Sequence, residues 1–280
     1  MHEGHRQRLK TRFRKEGLDN FDELYVLELL LFYCVPRKDT NPLAHSLLNR
    51  FGDLNGVLDA SAAELEKVAA EVKPAGIMLE CVQGEGGVIP LKPEFVRAAA
   101  KLAKEQDIPL IMDEVQTGNG RTGMLYGYMH FNIQPDIVST AKGLGGGLPI
   151  GACLMGEKVQ NVLGPGDHGS TYGGNPVCCA GALSVLERMD DNFLASVRRK
   201  SGYVFASLYG AKGIESVTGL GLMVGIKTVK PARDVVNACM ERGVLCLTAK
   251  DKVRLLPALN ISMDDLAKAI ETIKAVCAEE

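Results

Sequence analysis

Two apolar runs in the chain end in groups that could do chemistry together. "IPLIMDEV" at 108–115 delivers Asp113, and "PDIVSTAK" at 135–142 delivers Lys142. Runs of this length read as buried strands. In open parallel sheets, ligands gather at the carboxyl ends of the strands. A lysine amine placed there can condense with an aldehyde cofactor. A strand-end aspartate can keep a pyridine nitrogen protonated, so that the ring draws electrons from the substrate. The glycines after Lys142, in "KGLGGGLPIGA", bring backbone close and leave the lysine room to leave the aldehyde and move a proton. The pair is what pyridoxal phosphate chemistry requires.

Spacing alone leaves a second reading open. A lysine after a strand is commonly a solvated loop residue, a strand-end aspartate a turn or cap residue, and a glycine run a flexible turn. One alternative is excluded: a P-loop has its lysine after the glycines, and here Lys142 comes before them.

These residues need elements to position them, and the pattern along the chain supplies them. From residue 75 onward, short apolar runs alternate with amphipathic stretches. "AGIMLECV", "IPLIMDEV", "PDIVST" and "IGACLMG" read as strands. "PEFVRAAAKLAKEQD", "NPVCCAGALSVLERM" and "FLASVRRKSGYVFASLYG" read as helices, the first two with Pro93 and Pro176 near their starts. Alternation with nearly all-apolar strands predicts a parallel sheet covered on both faces. From about 213 the order changes to strands "IESVTGLGLMVGIKT", "VLCLTA" and "VRLLPAL" with helices "ARDVVNACMERG" and "SMDDLAKAIETIKAVCAEE", a smaller α+β domain. Before residue 67 the apolar residues recur at helical spacing, and Ser61 with Glu64 fits a capping box. The expected domains are therefore a helical one over 1–70, an α/β one over 71–212 and a C-terminal one over 213–280.

Composition narrows the function classes. The 280 residues carry a net charge of -2, with 46% hydrophobic and 24% charged residues, which is ordinary for a globular protein. That balance gives the whole molecule no argument for nucleic acid. The first fifteen residues, "MHEGHRQRLKTRFRK", are locally basic and could touch phosphates through Arg6, Arg8, Lys10, Arg12 and Arg14, or form a solvated basic helix. No signal peptide is expected. The longest apolar stretch, "LYVLELLLFYCV", is shorter than the roughly 20 residues a membrane span needs and contains Glu28. The eight cysteines form no CxxC or Cys/His metal spacing, so no metal site and a reducing cytoplasm are expected.

Four strings occur in order: "LECVQGEGG" at 79–87, "DEVQTGNGRTG" at 113–123, "STAKGLGGGLPIGA" at 139–152 and "HGSTYGGNP" at 168–176. Together they resemble the class III aminotransferases of the fold-type I pyridoxal phosphate family, from about residue 74 to 280. The strings "KGLGGGLPIGA", "HGSTYGGNP" and "RLLPALNIS" are similar to members that act on N-acetylornithine and 2-oxoglutarate in arginine biosynthesis. The resemblance implies an α/β fold with a mostly parallel sheet, a small C-terminal α+β domain, and a homodimer. Lys142 would carry the cofactor and Asp113 would pair with its ring nitrogen. Val115 would pack on one ring face, and Gln116 would contact the ring hydroxyl. Thr171, with Ser170 beside it, would reach the cofactor phosphate of the partner subunit. Arg254 would hold the substrate α-carboxylate by a bidentate contact, and Glu85 would pair with Arg254 when the substrate lacks a second carboxylate. Read without the family, Arg254 is a surface arginine on a strand and Glu85 a turn residue. Cys81 stands where the family usually has proline.

Residues 1–67 carry a different likeness. "GHRQRLKTRF", "ELLLFYCVPRKDTNPLAHSLLNRFG" and "LDASAAELEKV" resemble the N-terminal helical region of the RadC DNA repair family. The resemblance implies two fragments joined near 67–74, with the aminotransferase's phosphate loop, stacking aromatic and second arginine not found in 1–73. Weak cofactor affinity and little turnover follow as expectations. A catalytically inert fusion with a DNA-associated N-terminus, or another class III ω-aminotransferase, are the alternatives.

Overall fold

The computed structural model describes residues 8–9, 11–13, 21–34, 41–52, 67 and 74–279. Among the described residues no helix is long and apolar enough to cross a membrane. No group of three or more His, Cys, Asp or Glu residues among them could hold a metal ion. By contact the chain separates into two units, one of residues 1–77 and 97–110, the other of residues 78–96 and 111–280.

The first unit contains the helices α1 (Glu23–Cys34) and α2 (Asn41–Phe51), and the described residues 8–9 and 11–13 before them are also helical. Asp22 starts α1 by accepting a hydrogen bond from the Tyr25 backbone N–H at 2.9 Å, which satisfies one of the helix's unpaired donors. Gly52 follows α2 with φ +89°, a left-handed stop. Leu9, Leu27, Ala44 and Leu47 are buried. The Arg12 guanidinium lies over the Phe21 ring at 4.9 Å and near the Tyr25 ring at 5.7 Å. One of the basic residues of the N-terminal stretch is thereby engaged with aromatic faces. The expected Ser61–Glu64 capping box lies outside the described residues, as do Arg6, Lys10 and Arg14.

A four-stranded sheet has the order β1-β4-β5-β6, with β1 (Ile77–Leu79), β4 (Leu110–Asp113), β5 (Ile137–Thr140) and β6 (Ala152–Met155). β4 and β5 run parallel, with Asp113 opposite Ser139. β6 departs from the expected parallel arrangement and pairs antiparallel with β5, Thr140 facing Ala152. Only residues 141–151 join these strands, fewer than a crossover to a parallel neighbour needs. The chain turns back through the short 3₁₀ segment Lys142–Gly145 instead. The run "AGIMLECV" also splits. Its first part is β1, while Val82 and Gln83 form β2 (Val82–Gln83), which pairs antiparallel with β3 (Ile89–Pro90). Helix α3 (Pro93–Glu105) follows.

Two helices, α4 (Pro176–Glu187) and α5 (Asp191–Leu208), lead to the C-terminal part. Asn175 caps α4, its side chain accepting from the Val177 and Cys178 N–H groups, with Pro176 in the first turn. The second sheet has the order β7-β8-β10-β9, from β7 (Ile214–Leu220), β8 (Met223–Thr228), β9 (Leu247–Ala249) and β10 (Lys252–Leu255), all antiparallel. Strand alternation gives it two different faces. One carries Val224, Ile226, Val253 and Leu255 into a core with α5, α6 (Ala232–Glu241) and α7 (Met263–Ala278). Leu266, Ile270, Ile273 and Cys277 recur at helical spacing along α7 and are buried there. Each large side chain in this core contributes roughly 1.5–3 kcal/mol of burial. The other face packs Met223 and Ala249 against Val82 and Val88 of the β2–β3 hairpin.

Candidate active site

The parallel pairing of β4 and β5 brings the two chemical groups to adjacent strand ends. Asp113 closes β4. Its Oδ1 accepts from the Ser139 hydroxyl at 3.0 Å and from the Val115 N–H at 3.0 Å. Among the described residues its Oδ2 has no hydrogen-bond partner. One oxygen is thus fixed from the strand register, and the second is left for a donor outside the protein.

β5 ends at Thr140, and Lys142 follows in the left-handed region with φ +48°. A non-glycine residue adopts that conformation at a cost and is held there by its surroundings. Asn119 supplies part of the hold. Its Nδ2 donates to Thr140 Oγ1 at 3.0 Å and to the Ala141 carbonyl at 3.0 Å, which fixes the backbone immediately before the lysine. Lys142 itself is exposed, and its amine makes no hydrogen bond among the described residues. These two strand-end groups fit pyridoxal phosphate: a positioned carboxylate with an open oxygen, and an uncommitted amine.

The loop leaving β4 is built on a second carboxylate. Glu114 is fully buried. It accepts from the Thr117 hydroxyl at 2.6 Å and from the Gly127 and Tyr128 N–H groups at 2.8 Å each. Burial, with a smaller push from the Asp113 charge, raises its carboxyl above the ordinary range, and these donors offset only part of that rise. Cys81, which stands where the sequence likeness expects proline, points its Sγ at Glu114 Oε1 at 3.9 Å. Burial, and then the nearby Glu114 charge, raise the Cys81 thiol and keep it protonated. Arg121 donates to the carbonyls of Leu222 at 3.1 Å and Pro257 at 2.6 Å, so it ties this loop to the C-terminal sheet. Burial lowers its pKa to about 10.

Glu85 and Arg254 meet. Arg254 Nη1 donates to Glu85 Oε1 at 2.7 Å. The partners differ in exposure: the Arg254 side chain is 10% accessible and that of Glu85 is 74%. Arg254 is the fixed member and Glu85 the one free to leave. Arg254 Nε is buried with no acceptor among the described residues. The Arg254 contact, above all, holds the Glu85 carboxyl below its ordinary range, with Gln116 and Lys142 adding to the effect against partial burial. Gln116 Nε2 also donates to Glu85 Oε1, at 3.3 Å. The Gln116 side chain rests on Gly84, where an added Cβ would lie 2.6 Å from its Oε1.

Glu80, just beyond β1, belongs to the same neighbourhood and was not singled out from the sequence. Burial raises its carboxyl, the charges of Asp113 and Glu85 add to this, and the Gly84 N–H and Lys142 oppose it. Asn119, Ser139 and Glu114 were also passed over as functional, although they stand inside the quoted strings. Their roles are hydrogen bonds to backbone and to Asp113, which residue type alone does not announce. Ser170 and Thr171 lie in an exposed segment before α4, outside this set of contacts.

The chain matches the aminotransferase class-III family over residues 42–277. The chain belongs to the class III aminotransferases. The match starts before the first of the four strings, inside the segment that resembles RadC. This class III chain is 47% identical over 205 residues to the acetylornithine aminotransferase of Haemophilus ducreyi, covering 72% of this chain and 52% of that protein. It is 44% identical to that of Clostridium acetobutylicum, over 71% of this chain and 53% of the relative. It spans about half the length of these curated relatives. The solved acetylornithine aminotransferase from Elizabethkingia anophelis superposes with a TM-score of 0.73 at 32% identity, over 79% of this chain and 58% of that one. The ornithine aminotransferase from Toxoplasma gondii gives 0.72 at 32%, over 78% and 54%. The fold is the α/β fold of these aminotransferases.

Proposed function

We propose that the chain carries the reaction centre of an N-acetylornithine:2-oxoglutarate aminotransferase dependent on pyridoxal 5'-phosphate. The observation that carries this reading is the Arg254–Glu85 pair, set in the same neighbourhood as Asp113 and Lys142. When bound, pyridoxal phosphate supplies an aldehyde that takes up the amino group and a ring that accepts electrons from the substrate carbon. The protein's residues do the rest. Asp113, oriented by Ser139 and Val115, holds a proton on the ring nitrogen through its open oxygen. Lys142 supplies the amine that would anchor the group and then serves as the base that takes the proton from the substrate carbon bearing the amino group. Val115 and Gln116 line the ring. Arg254 binds the substrate α-carboxylate bidentately, and Glu85 occupies Arg254 when the substrate lacks a second carboxylate. One site thereby serves a monocarboxylate amine donor and a dicarboxylate acceptor.

The test is borohydride reduction of the full chain with pyridoxal phosphate, followed by peptide mass spectrometry. A pyridoxyl label on Lys142 that vanishes in Lys142→Ala supports the reading, and no label on the wild-type chain overturns it. The choice of ω-amine is a separate matter, since the Toxoplasma ornithine aminotransferase superposes as well as the acetylornithine enzymes. Rates with N-acetylornithine and ornithine as donors decide it. The division into domains at 70 and 212 and a cytoplasmic location accompany this reading. So does a homodimer in which Ser170 and Thr171 reach the partner's cofactor phosphate. Sedimentation of the full chain at micromolar concentration tests the dimer.

For residues 1–67, the basic stretch and the resemblance to RadC support contact with DNA, while the seating of Arg12 on Phe21 and Tyr25 speaks against it. No mobility shift at low salt removes that reading.

A further inference from the structure

We propose that Thr218 and Lys252 are positioning residues that pin the Glu85 turn to the C-terminal sheet and so set how firmly Glu85 competes with substrate for Arg254. The proposal rests on the reading of Arg254 and Glu85 as the substrate-exchange pair.

Strand register puts the relevant residues in one row. Gly225 of β8 lies between Thr218 of β7 and Arg254 of β10. All three face the side of the sheet opposite the helical core, and Lys252, two residues before Arg254, shares that face. A Cβ on Gly225 would lie 2.8 Å from the Val88 Cβ and 3.3 Å from the Gly87 carbonyl oxygen. The missing side chain is what lets the turn after β2 lie directly on the strand.

Val88 is held there in an unfavourable conformation. Its φ is +55°, a region that a β-branched residue enters only when its surroundings impose it. Its own turn offers little support, since the Val88 N–H reaches the Gly84 carbonyl at 3.4 Å. The support comes from the sheet. The Val88 side chain is fully buried with Val82, Met223 and Ala249. Its carbonyl accepts from Thr218 Oγ1 at 2.8 Å. A hydroxyl has one proton to give, and Gly225 O is a poorer acceptor for it at 3.5 Å. Lys252 Nζ donates to Thr218 Oγ1 at 3.0 Å. This occupies a lone pair of the hydroxyl and leaves its proton for Val88. The three groups form one directed chain, ammonium to hydroxyl to carbonyl, in which each bond polarises the next.

The turn so pinned carries Glu85, three residues before Val88. Arg254 is fixed in the sheet and Glu85 is the exposed, departing partner. With its backbone held, Glu85 leaves and returns by side-chain rotation alone, and its return is favoured. Without the pin, the turn drifts and Glu85 competes less well for Arg254. A carboxylate ligand then binds Arg254 more tightly.

Calorimetric titration of the full chain with glutarate, a plain dicarboxylate, tests this. Thr218→Val is expected to tighten glutarate binding about fivefold, the worth of one lost hydrogen bond. Thr218→Ser, which keeps the hydroxyl, restores wild-type affinity. Glu85→Gln also tightens binding, and adding Thr218→Val to it changes nothing further, because the pin acts through Glu85. Hydrogen exchange at residues 84–88 speeds up in both Thr218→Val and Lys252→Met. If Thr218→Val weakens glutarate binding, or shifts it equally with and without Glu85→Gln, the pin is overturned while the exchange pair stands. If wild-type glutarate binding is undiminished in Arg254→Gln, the exchange pair itself fails and the pin fails with it.

Discussion

The strand-end group around Asp113 and Lys142 and the Arg254–Glu85 pair are built on different plans. In the first, Asp113, Glu114, Asn119, Ser139 and Lys142 fall within thirty positions of one another, and buried polar side chains satisfy backbone groups around a fixed carboxylate and lysine. In the second, the partners are 169 residues apart and one of them is largely exposed. The difference follows from the work each must do. On the proposed reading, groups that hold a cofactor and move a proton must stay in place, and Asp113 and the backbone before Lys142 are each held by more than one hydrogen bond. On the same reading, a pair that alternates between an internal partner and a substrate carboxylate must open at little cost, and the exposure of Glu85 lets water take up its carboxylate as it leaves Arg254.

The largest effect that would sharpen this contrast is expected from Asp113→Asn. The amide can still accept from Ser139 and Val115, but it carries no charge to hold the ring proton. Single-turnover amino transfer, followed by cofactor absorbance, should slow about 10²–10³-fold with stability little changed. A slowing of the same size in Glu85→Gln would erase the distinction between the two sites. Next comes Glu114→Ala. It leaves the Gly127 and Tyr128 N–H groups and the Thr117 hydroxyl buried without their acceptor, a loss of about 3 kcal/mol measurable by urea unfolding. Glu114→Gln keeps one carbonyl acceptor and should lose less. Asn119→Ala releases Thr140 and the Ala141 carbonyl, at about 1–2 kcal/mol. It should also lower the yield of the trapped label on Lys142 by freeing the strained backbone that presents it.

The smallest effect separates the second site by pH. The folded-state carboxyl of Glu85 lies below its ordinary value because of Arg254. Its stabilisation is therefore fully present above the ordinary glutamate range and is lost as pH falls through the depressed value. The difference in melting temperature between wild type and Glu85→Gln should be small at neutral pH, given the exposure of Glu85, and should vanish in acid once the pH has fallen through the depressed Glu85 value. A difference that persists there would mean that the pair is held by packing and not by charge.

The degree to which each site could be read from the chain follows the same division. Asp113 and Lys142 stand at the ends of apolar runs, and an apolar run with a polar end is a local pattern. The α/β architecture and the α+β make-up of the C-terminal part were legible for the same reason, since strand and helix periodicity needs only neighbouring residues. Glu114 was not: nothing local tells a buried acceptor of backbone N–H groups from a solvated glutamate beside Asp113. The split of "AGIMLECV" into β1 and β2 was hidden too, because the run is uniformly apolar and the break is set by the partner strand β3.

What the amino-acid sequence determined by itself is the set of reactive groups and their placement at strand ends, since hydrophobic period and residue type fix both within a few neighbours. Tertiary structure alone decided that β6 turns back antiparallel, that Gln116 joins Glu85 and Arg254 over Gly84, and that Val88 is pressed into a left-handed turn beneath Thr218. Each of these depends on strand register and close approach between segments far apart in the chain. Those are settled when the whole surface is buried at once, and no single segment contains the information.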